Sequence, residues 1–276
     1  MKKILTFLVA GILSVTCLFG LTACGNDSII VHTNAYFAPF EYYEGSEIKG
    51  VDVDIMNKVG EKLGKKIEFV NVEFSAIIDN VKDGKVCDVG AAGITVTEER
   101  QAKVDFSNAY YTSVQYVIFK TGTFETREAT DGTACMFWTD LANKKIGVQL
   151  DTTGNIYVDI EINGDGPDYP GELADYKETT ELKPYDDANL ASSALIAGQV
   201  DCVVVDELPA KYIASKNEGL ECVALYYNAN TATEESYAIC VTKGNQELLN
   251  AINEVLAELG ETGIQNLVRQ HFGLED

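Results

Sequence analysis

Cationic and imidazole side chains are scarce in this sequence. The 276 residues include 21 Lys and Arg against 43 Asp and Glu, which gives a formal net charge of −22. This deficit of cations excludes a role in binding nucleic acid, because affinity for phosphate backbones depends on clustered Lys and Arg. It also excludes electrostatic attachment to an anionic membrane surface.

Residues with obvious catalytic chemistry are almost absent. Only two histidines occur, His32 in a predicted strand and His271 in a predicted helix, and neither stands near a candidate nucleophilic Ser or Cys in sequence. The chain has no HExxH or GxSxG motif, and Gly90-Ala91-Ala92-Gly93 lacks the lysine and the spacing of a phosphate-binding loop. We therefore expect no cofactor and no metal, while an enzyme built on carboxylates alone stays open.

The N-terminus has the composition of a secretory signal. Lys2 and Lys3 precede an almost wholly apolar run from Ile4 to Leu21, as in signal peptides. A permanent membrane anchor is the alternative, since the run has about the right length. The tetrapeptide Leu21-Thr22-Ala23-Cys24 resembles the bacterial lipobox. That resemblance implies a lipoprotein signal peptide at residues 1–23, a Cys24 acylated with diacylglycerol and palmitate, and a linker at residues 24–28.

Five cysteines follow Cys24, and an odd number cannot all pair within one chain. Most of them lie in apolar, strand-like runs, which predicts buried thiols acting as small hydrophobic side chains. There is no CxxC pair, and a bridge between Cys202 and Cys222 on neighbouring strands stays open. The five are Cys87, Cys135, Cys202, Cys222 and Cys240.

The spacing of apolar residues predicts an α/β protein with parallel sheets flanked by helices. A first unit alternates strands with helices, a second unit repeats the rhythm, and two helices close the chain. Strands are predicted at residues 29–33, 67–72, 86–89, 114–119, 145–150, 202–205, 220–226 and 236–241.

Local signals predict several helix starts. Ser75 is expected to cap a helix, and Thr95-Val96-Thr97-Glu98 has the pattern of a capping box. Phe137 to Lys145 predicts a short helix capped by Thr139. The aromatic-rich stretch from Asn34 to Glu44 is predicted to be a loop.

Polar residues collect at the C-terminal ends of the predicted strands, where open α/β sheets bind ligands. Arg100 is suited to a carboxylate, and Asp206 could accept from an ammonium group. Facing one cleft, the two would complement a zwitterionic α-amino acid, with Thr152 and Thr153 at a helix N-terminus adding donors for the carboxylate. On spacing alone, a surface salt bridge for Arg100 and an N-cap role for Asp206 stay open.

Four motifs in order resemble those of the amino-acid-binding proteins of ABC importers, the bacterial solute-binding proteins of family 3. They are Phe37-Ala38-Pro39-Phe40-Glu41, Gly50-Val51-Asp52-Val53-Asp54-Ile55, Gly93-Ile94-Thr95-Val96-Thr97-Glu98-Glu99-Arg100 and Asp105-Phe106-Ser107 with Tyr110-Tyr111. Residues 146–154 and Val205-Asp206 continue the match, so that it covers residues 29–274.

The resemblance implies a two-lobed periplasmic-binding-protein-like fold of type II, joined by two crossing strands. Lobe 1 would be residues 29–114 plus 230–276, and lobe 2 residues 115–229. It further implies a monomer, held by its lipid on the outer face of the cytoplasmic membrane, that captures a polar L-amino acid and delivers it to an ABC permease. The positions matching ligand contacts are Asn34, Phe37, Phe74, Gly93, Thr95, Arg100, Gln149, Thr152, Thr153 and Asp206.

Three positions depart from the family pattern. Val51 replaces a larger side chain, which we interpret as a packing change. Asp151 stands where Gly is usual, so it either faces solvent or reshapes the pocket. Asn34 stands where binders of basic amino acids often carry Asp. With Glu41 expected to cap or to face water, these features favour a neutral, glutamine-like ligand over arginine or lysine.

Two other functions stay open at this point. One is an enzyme of the same fold that dehydrates arogenate or prephenate. The other is a ligand-sensing receptor component, for which a fused transmembrane signalling part would be expected. We expect a binding protein that is not an enzyme.

Overall fold

The computed structural model describes residues 28–273. The predicted signal peptide, Cys24 and all of the predicted linker except Ser28 lie outside the described residues. Within the described range, no helix is both long and apolar enough to cross a membrane. The strands are β1 (Ser28–Thr33), β2 (Tyr36–Phe37), β3 (Glu41–Glu44), β4 (Glu47–Lys49), β5 (Lys66–Asn71), β6 (Val89–Gly90), β7 (Asp105–Phe106), β8 (Tyr111–Lys120), β9 (Arg127–Glu128), β10 (Ala134–Phe137), β11 (Lys145–Gln149), β12 (Glu181–Tyr185), β13 (Cys202–Asp206), β14 (Leu220–Asn228), β15 (Thr231–Ala232), β16 (Glu234–Tyr237) and β17 (Cys240–Val241). The helices are α1 (Val51–Leu63), α2 (Phe74–Asp83), α3 (Glu98–Lys103), α4 (Thr153–Asn163), α5 (Ala188–Ile196), α6 (Glu207–Lys216) and α7 (Gln246–Phe272).

The first lobe is built on a five-stranded sheet in the order β5-β1-β6-β17-β7. Strand β1 pairs in parallel with β5 and β6, whereas β17 is antiparallel to β6 and β7. The parallel part arises because α1 and α2 carry the chain back between successive strands. The carboxyl ends of β1, β5 and β6 therefore meet at one edge of this sheet.

The second lobe is built on a nine-stranded sheet, in which β11 lies between the parallel strands β12 and β13. Strand β8 joins the lobes. Its first residues, Tyr111 to Val114, pair with β16, and its later residues pair with β13 and β14. Strands β8 and β16 are thus the two crossing strands, and the α/β fold class predicted from the sequence is confirmed.

Helix α1 follows directly from its sequence. Val51, Ile55 and Val59 recur every four residues and are fully buried, as expected for an amphipathic helix. The helix ends at Gly64, whose φ of 64° is left-handed and therefore favours glycine. At the C-terminal end of the chain, the two predicted helices form α7, which Gly260 divides through its non-helical φ/ψ.

Two helix caps were predicted wrongly. Helix α2 begins at Phe74 with Glu73 as its N-cap, so Ser75 lies inside its first turn. Helix α3 begins at Glu98, where the side chain of Thr97 caps the backbone N–H of Arg100. The capping-box pattern at residues 95–98 misplaced this start, because Thr95 instead forms a β-bridge with Tyr237.

Four other predicted segments were also wrong. The predicted loop at residues 34–44 contains β2 and β3, which pair as a hairpin. The predicted helix from Phe137 is one 3₁₀ turn, Trp138–Leu141. The predicted strand at residues 86–89 is reduced to β6, and the one at residues 236–241 is split into β16 and β17.

The cysteines of the described residues are all free thiols, and four of the five are buried. Cys202 and Cys222 lie on opposite sides of β8, facing Phe119 and Ile118 respectively. Two strand spacings separate them, or about 10 Å, which exceeds the Cα separation of about 7 Å that a disulfide tolerates. The bridge left open by the sequence is therefore excluded in this fold.

At Gly50 the backbone tolerates no side chain. Its φ of 138° is accessible only to glycine, and a Cβ would lie 2.0 Å from the carbonyl oxygen of Phe40. We predict that Gly50→Ala lowers the free energy of unfolding by at least about 3 kcal/mol, because backbone strain and a backbone clash add. Urea denaturation followed by circular dichroism measures the loss.

Gly45→Ala is the matched control for this prediction. Gly45 also has a positive φ, of 64°, but a Cβ at this position would have no neighbour within 4 Å. Its replacement should therefore lower stability by only about 1 kcal/mol. Equal losses in the two variants would contradict the role assigned to the contact between Gly50 and Phe40.

Candidate ligand-binding site

A small cavity lies between the two lobes, where the carboxyl ends of strands from both sheets converge. About 280 Å³ of space here is not filled by protein atoms, part of it open to solvent. Of the residues that the sequence predicted as ligand contacts, all except Arg100 line it, and Glu41 and Ala92 join them. The lining residues are Asn34, Phe37, Glu41, Phe74, Ala92, Gly93, Thr95, Gln149, Thr152, Thr153 and Asp206.

A wider groove lies elsewhere, between the start of β8 and the kink of α7 at Gly260. It is open to solvent, and no buried charged side chain of the described residues lines it. The cavity between the lobes differs because several buried polar groups converge on it. We therefore place the candidate site at the cavity.

The aromatic walls of the cavity come from the first lobe. Phe37 projects from β2, and Phe74 is the first residue of α2. Gly93 allows the backbone to approach Phe37 closely, since a Cβ there would lie 2.9 Å from the ring. Asp52 fixes this loop by accepting a 2.9 Å hydrogen bond from the Gly93 N–H.

The guanidinium of Arg100 lies behind Thr95, at the edge of the cavity. Its Nη1 donates to the Thr95 carbonyl and its Nη2 to the Asp151 carbonyl, both at 2.8 Å. The group stacks 5.3 Å from the centre of the Phe74 ring. The described residues provide no carboxylate within salt-bridge distance of it, so the sequence alternative of a surface salt bridge is wrong.

Asp206 occupies the N-cap position of α6, but its side chain makes no capping hydrogen bond. Its carboxylate instead accepts from the Gln115 amide at 2.5 Å and from the Tyr237 hydroxyl. The same Gln115 nitrogen donates to Glu235 at 2.5 Å, and the Thr95 hydroxyl also donates to Glu235 at 2.5 Å. Asp206 is therefore part of a buried network at the cavity, and the N-cap alternative is wrong.

The electrostatics of this network follow from burial. Burial raises the pKa of Asp206, while the hydrogen bonds from Tyr237 and Gln115 lower it. Burial and the nearby Asp206 both raise the pKa of Glu235. Burial lowers the pKa of Arg100, although a guanidinium stays protonated in proteins.

Two hydrogen bonds join the lobes, one across the cavity and one beside it. The Gln149 amide donates to Asn34 Oδ1 at 2.9 Å, and Arg100 reaches the Asp151 carbonyl. The Asn34 amide nitrogen donates to the Val72 carbonyl at 2.8 Å. The Asn34 side chain is thus already engaged with both lobes, whereas the sequence had suggested it for the tip of a ligand side chain.

The side chain of Asp151 is exposed and does not line the cavity. Of the two alternatives that the sequence left open, solvent exposure is therefore the correct one. Its φ of 61° is left-handed, which explains why glycine suits this position. What Asp151 contributes to the site is its carbonyl oxygen.

Glu41 was predicted wrongly. It neither caps a helix nor faces water, because it is fully buried and lines the cavity. Burial raises its pKa well above the ordinary value, and Asp52 and Asp206 raise it further. Glu41 pairs with Phe37 in the hairpin, and this register would have revealed its burial. It was missed because residues 34–44 were predicted to be a loop.

Comparison with known proteins identifies relatives of this chain. The arginine-binding extracellular protein ArtP of Bacillus subtilis (strain 168) is 27% identical over 284 residues, covering 99% of this chain and 98% of that protein. The structure of an ancestral arginine-binding protein bound to arginine aligns with a TM-score of 0.73 and 31% identity, covering 90% of this chain and 99% of the other. An ancestral arginine-binding protein bound to glutamine aligns with a TM-score of 0.72, with the same identity and coverage.

A family model agrees with these relatives. The model of the bacterial extracellular solute-binding proteins, family 3, matches residues 29–274. That span contains every residue that lines the cavity. The chain therefore belongs to the bacterial extracellular solute-binding proteins of family 3.

Proposed function

We propose that this protein captures a free, polar L-α-amino acid outside the cytoplasm and delivers it to the permease of an ABC importer. The observation that carries the proposal is a pair of buried, oppositely charged groups: Asp206, which lines the cavity, and Arg100, which lies one hydrogen bond behind Thr95 of its lining. Arg100, without a carboxylate partner among residues 28–273, would hold the α-carboxylate. Asp206 would hold the α-ammonium.

The second lobe supplies further donors for a carboxylate. Helix α4 begins at Thr153, and its unpaired backbone N–H groups favour an anion. The buried hydroxyl of Thr153 has no hydrogen-bond partner among the described residues. A ligand carboxylate between Arg100 and α4 would satisfy groups of both lobes at once.

Closure of the lobes over the ligand is part of the proposal. Residues 29–114 and 230–276 would move as lobe 1 against residues 115–229 as lobe 2. The contacts from Gln149 to Asn34 and from Arg100 to Asp151 would form on closure, since each joins a residue of one lobe to a residue of the other. We expect the protein to act as a monomer, because one chain supplies every group at the cavity.

Catalysis is the second candidate, and Glu41 is the observation that favours it. A buried carboxyl group with a raised pKa is suited to act as a general acid, as an arogenate or prephenate dehydratase would require. Incubation with either compound should give no aromatic product if the protein only binds ligands. Turnover that is lost in Glu41→Gln would instead establish the enzyme.

The two charged groups can be tested by conservative substitution. Arg100→Lys keeps the charge but loses the planar donor fork, and Asp206→Asn keeps the shape but loses the charge. Breaking one partner of a buried charge pair costs roughly 2–5 kcal/mol, so we predict affinity losses of about 30- to 5000-fold. Calorimetry with the amino acid that most stabilises the wild type in a thermal-shift panel measures them.

Arg127→Lys is the matched control for these variants. Arg127 pairs with Asp140 on the surface of the second lobe, and neither residue lines the cavity. Its replacement should leave affinity unchanged. A loss below about threefold for both Arg100→Lys and Asp206→Asn would remove them from the binding site.

Lipid anchoring through Cys24 is a separate part of the proposal and rests on the lipobox resemblance. We predict that Cys24→Ser shifts the protein from the membrane fraction to the soluble fraction, because a single residue carries all the lipid chains. Cell fractionation and intact mass measure the change. Cys17→Ser, which alters the signal peptide alone, should stay lipidated, and a wild type without lipid would contradict the anchor.

A further inference from the structure

The Glu41 side chain is fully buried, yet neither of its carboxylate oxygens has a hydrogen-bond partner among the described residues. Buried polar groups are nearly always paired, because desolvation without a partner is unfavourable. Glu41 is also directed into the cavity that it lines. A buried, unpaired carboxyl group at a ligand cavity indicates a partner that arrives with the ligand.

The hairpin holds Glu41 in this position. Glu41 lies directly opposite Phe37 in the pairing of β2 with β3, and opposed residues of an antiparallel pair project from the same face. The backbone before Glu41 is fixed in turn, because Phe40 accepts a 3.1 Å hydrogen bond from the Asp52 N–H. Glu41 therefore lies on the same face of the hairpin as Phe37, with its backbone fixed on both sides.

Acidic groups outnumber basic groups around the cavity. Four carboxyl groups, those of Glu41, Asp52, Asp206 and Glu235, are buried at the cavity or one hydrogen bond from its lining, against the single guanidinium of Arg100. A zwitterionic ligand head adds no net charge. A cationic ligand side chain would favour the ionised form of a carboxyl group whose pKa burial has raised.

We propose that Glu41 pairs with a cationic group on the ligand side chain, so that this protein selects a basic amino acid such as arginine or lysine. The inference rests on the proposed capture of an α-amino acid. With the head group between Arg100 and Asp206, the side-chain stem passes between Phe37 and Phe74, and its tip meets Glu41. Aromatic faces suit both an aliphatic stem and a guanidinium.

This choice differs from the neutral ligand that the sequence favoured. The preference depended on Asn34 as the reader of the side-chain tip and on Glu41 lying in water. The structure engages Asn34 with Val72 and Gln149 and buries Glu41. A carboxyl group therefore occupies the position at which a neutral amide had been expected.

Arginine and its neutral analogue citrulline provide the sharpest test. They have nearly the same shape and differ in charge at the tip, so their ratio isolates the contact with Glu41. For wild-type protein freed of ligand by unfolding and refolding, we predict by calorimetry that arginine binds at least about 30-fold more tightly than citrulline, the usual effect of a buried charge pair. Glu41→Gln should reduce arginine affinity by a similar factor and change citrulline affinity by less than about threefold.

Glu161→Gln is the matched control. Glu161 is also a buried glutamate, but it accepts hydrogen bonds from Tyr169 and from the Glu172 N–H in the second lobe, outside the cavity. Its replacement removes a buried carboxyl group without touching the proposed contact. Selectivity for arginine should be retained, and its loss would show that a buried carboxyl group in general, not Glu41, sets the preference.

Folding can be checked independently of binding. The ligand-free Glu41→Gln protein should unfold at the wild-type temperature or above it, because the substitution removes an unpaired buried acid. A variant that is destabilised and loses arginine and citrulline equally would assign Glu41 a structural role and overturn the proposal.

The wild-type result distinguishes the proposed capture of an amino acid from the proposed role of Glu41 in selection. If arginine, lysine, citrulline and glutamine all fail to bind, capture of an amino acid is itself contradicted. If citrulline or glutamine binds as tightly as arginine, amino-acid capture stands and the role of Glu41 in selection is overturned.

Discussion

The guanidinium of Arg100 is held by carbonyl oxygens from both lobes, and the described residues place no carboxylate in salt-bridge contact with it. Carbonyl oxygens satisfy its N–H groups without neutralising its charge. A buried guanidinium that no carboxylate contacts directly is costly to desolvate, and the charges of Glu235 and Asp206 favour it only from beyond contact distance. On the proposed function, the carboxylate of the ligand supplies the direct contact that Arg100 lacks.

On the proposed function, closure and ligand capture depend on each other for the same reason. In an open arrangement, water would solvate Arg100, Asp206 and Glu41. Closure removes that water, and a ligand carboxylate and ammonium replace it as partners. A ligand can shift a conformational equilibrium only by its differential affinity for the two states, and here the unpaired charges of the closed cavity provide that difference.

Much of the fold could be predicted from the sequence, because regular spacing determines it. The apolar residues of α1 at intervals of four and the glycine at its end set both its face and its length. Most of the residues predicted as ligand contacts line the cavity because parallel strands end at a common edge. These features depend on local pattern and topology, both of which a sequence records.

The wrong predictions share a different cause. The cap of α3 was misplaced because Thr95 and Thr97 offer the same side-chain chemistry, and only the β-bridge of Thr95 to Tyr237 separates their roles. Glu41 was predicted to face water because β2 and β3 have only two and four residues, too few to show a periodic pattern. Which face Glu41 occupies depends on the register of this short hairpin.

The site proposed for the ligand ammonium group combines residues of both lobes and of a crossing strand. Asp206 ends β13 in the second lobe, Thr95 belongs to the first, and Glu235 and Tyr237 lie on β16, which pairs with β8 where the chain crosses between lobes. A positive charge placed at Asp206 therefore acts on groups of both lobes and of a crossing strand. Since burial raises the pKa of both Asp206 and Glu235, a cation between them would favour their ionised forms and strengthen their hydrogen bonds to Thr95 and Tyr237. On the proposed function, the ligand head group thus stabilises the strand about which the lobes would move.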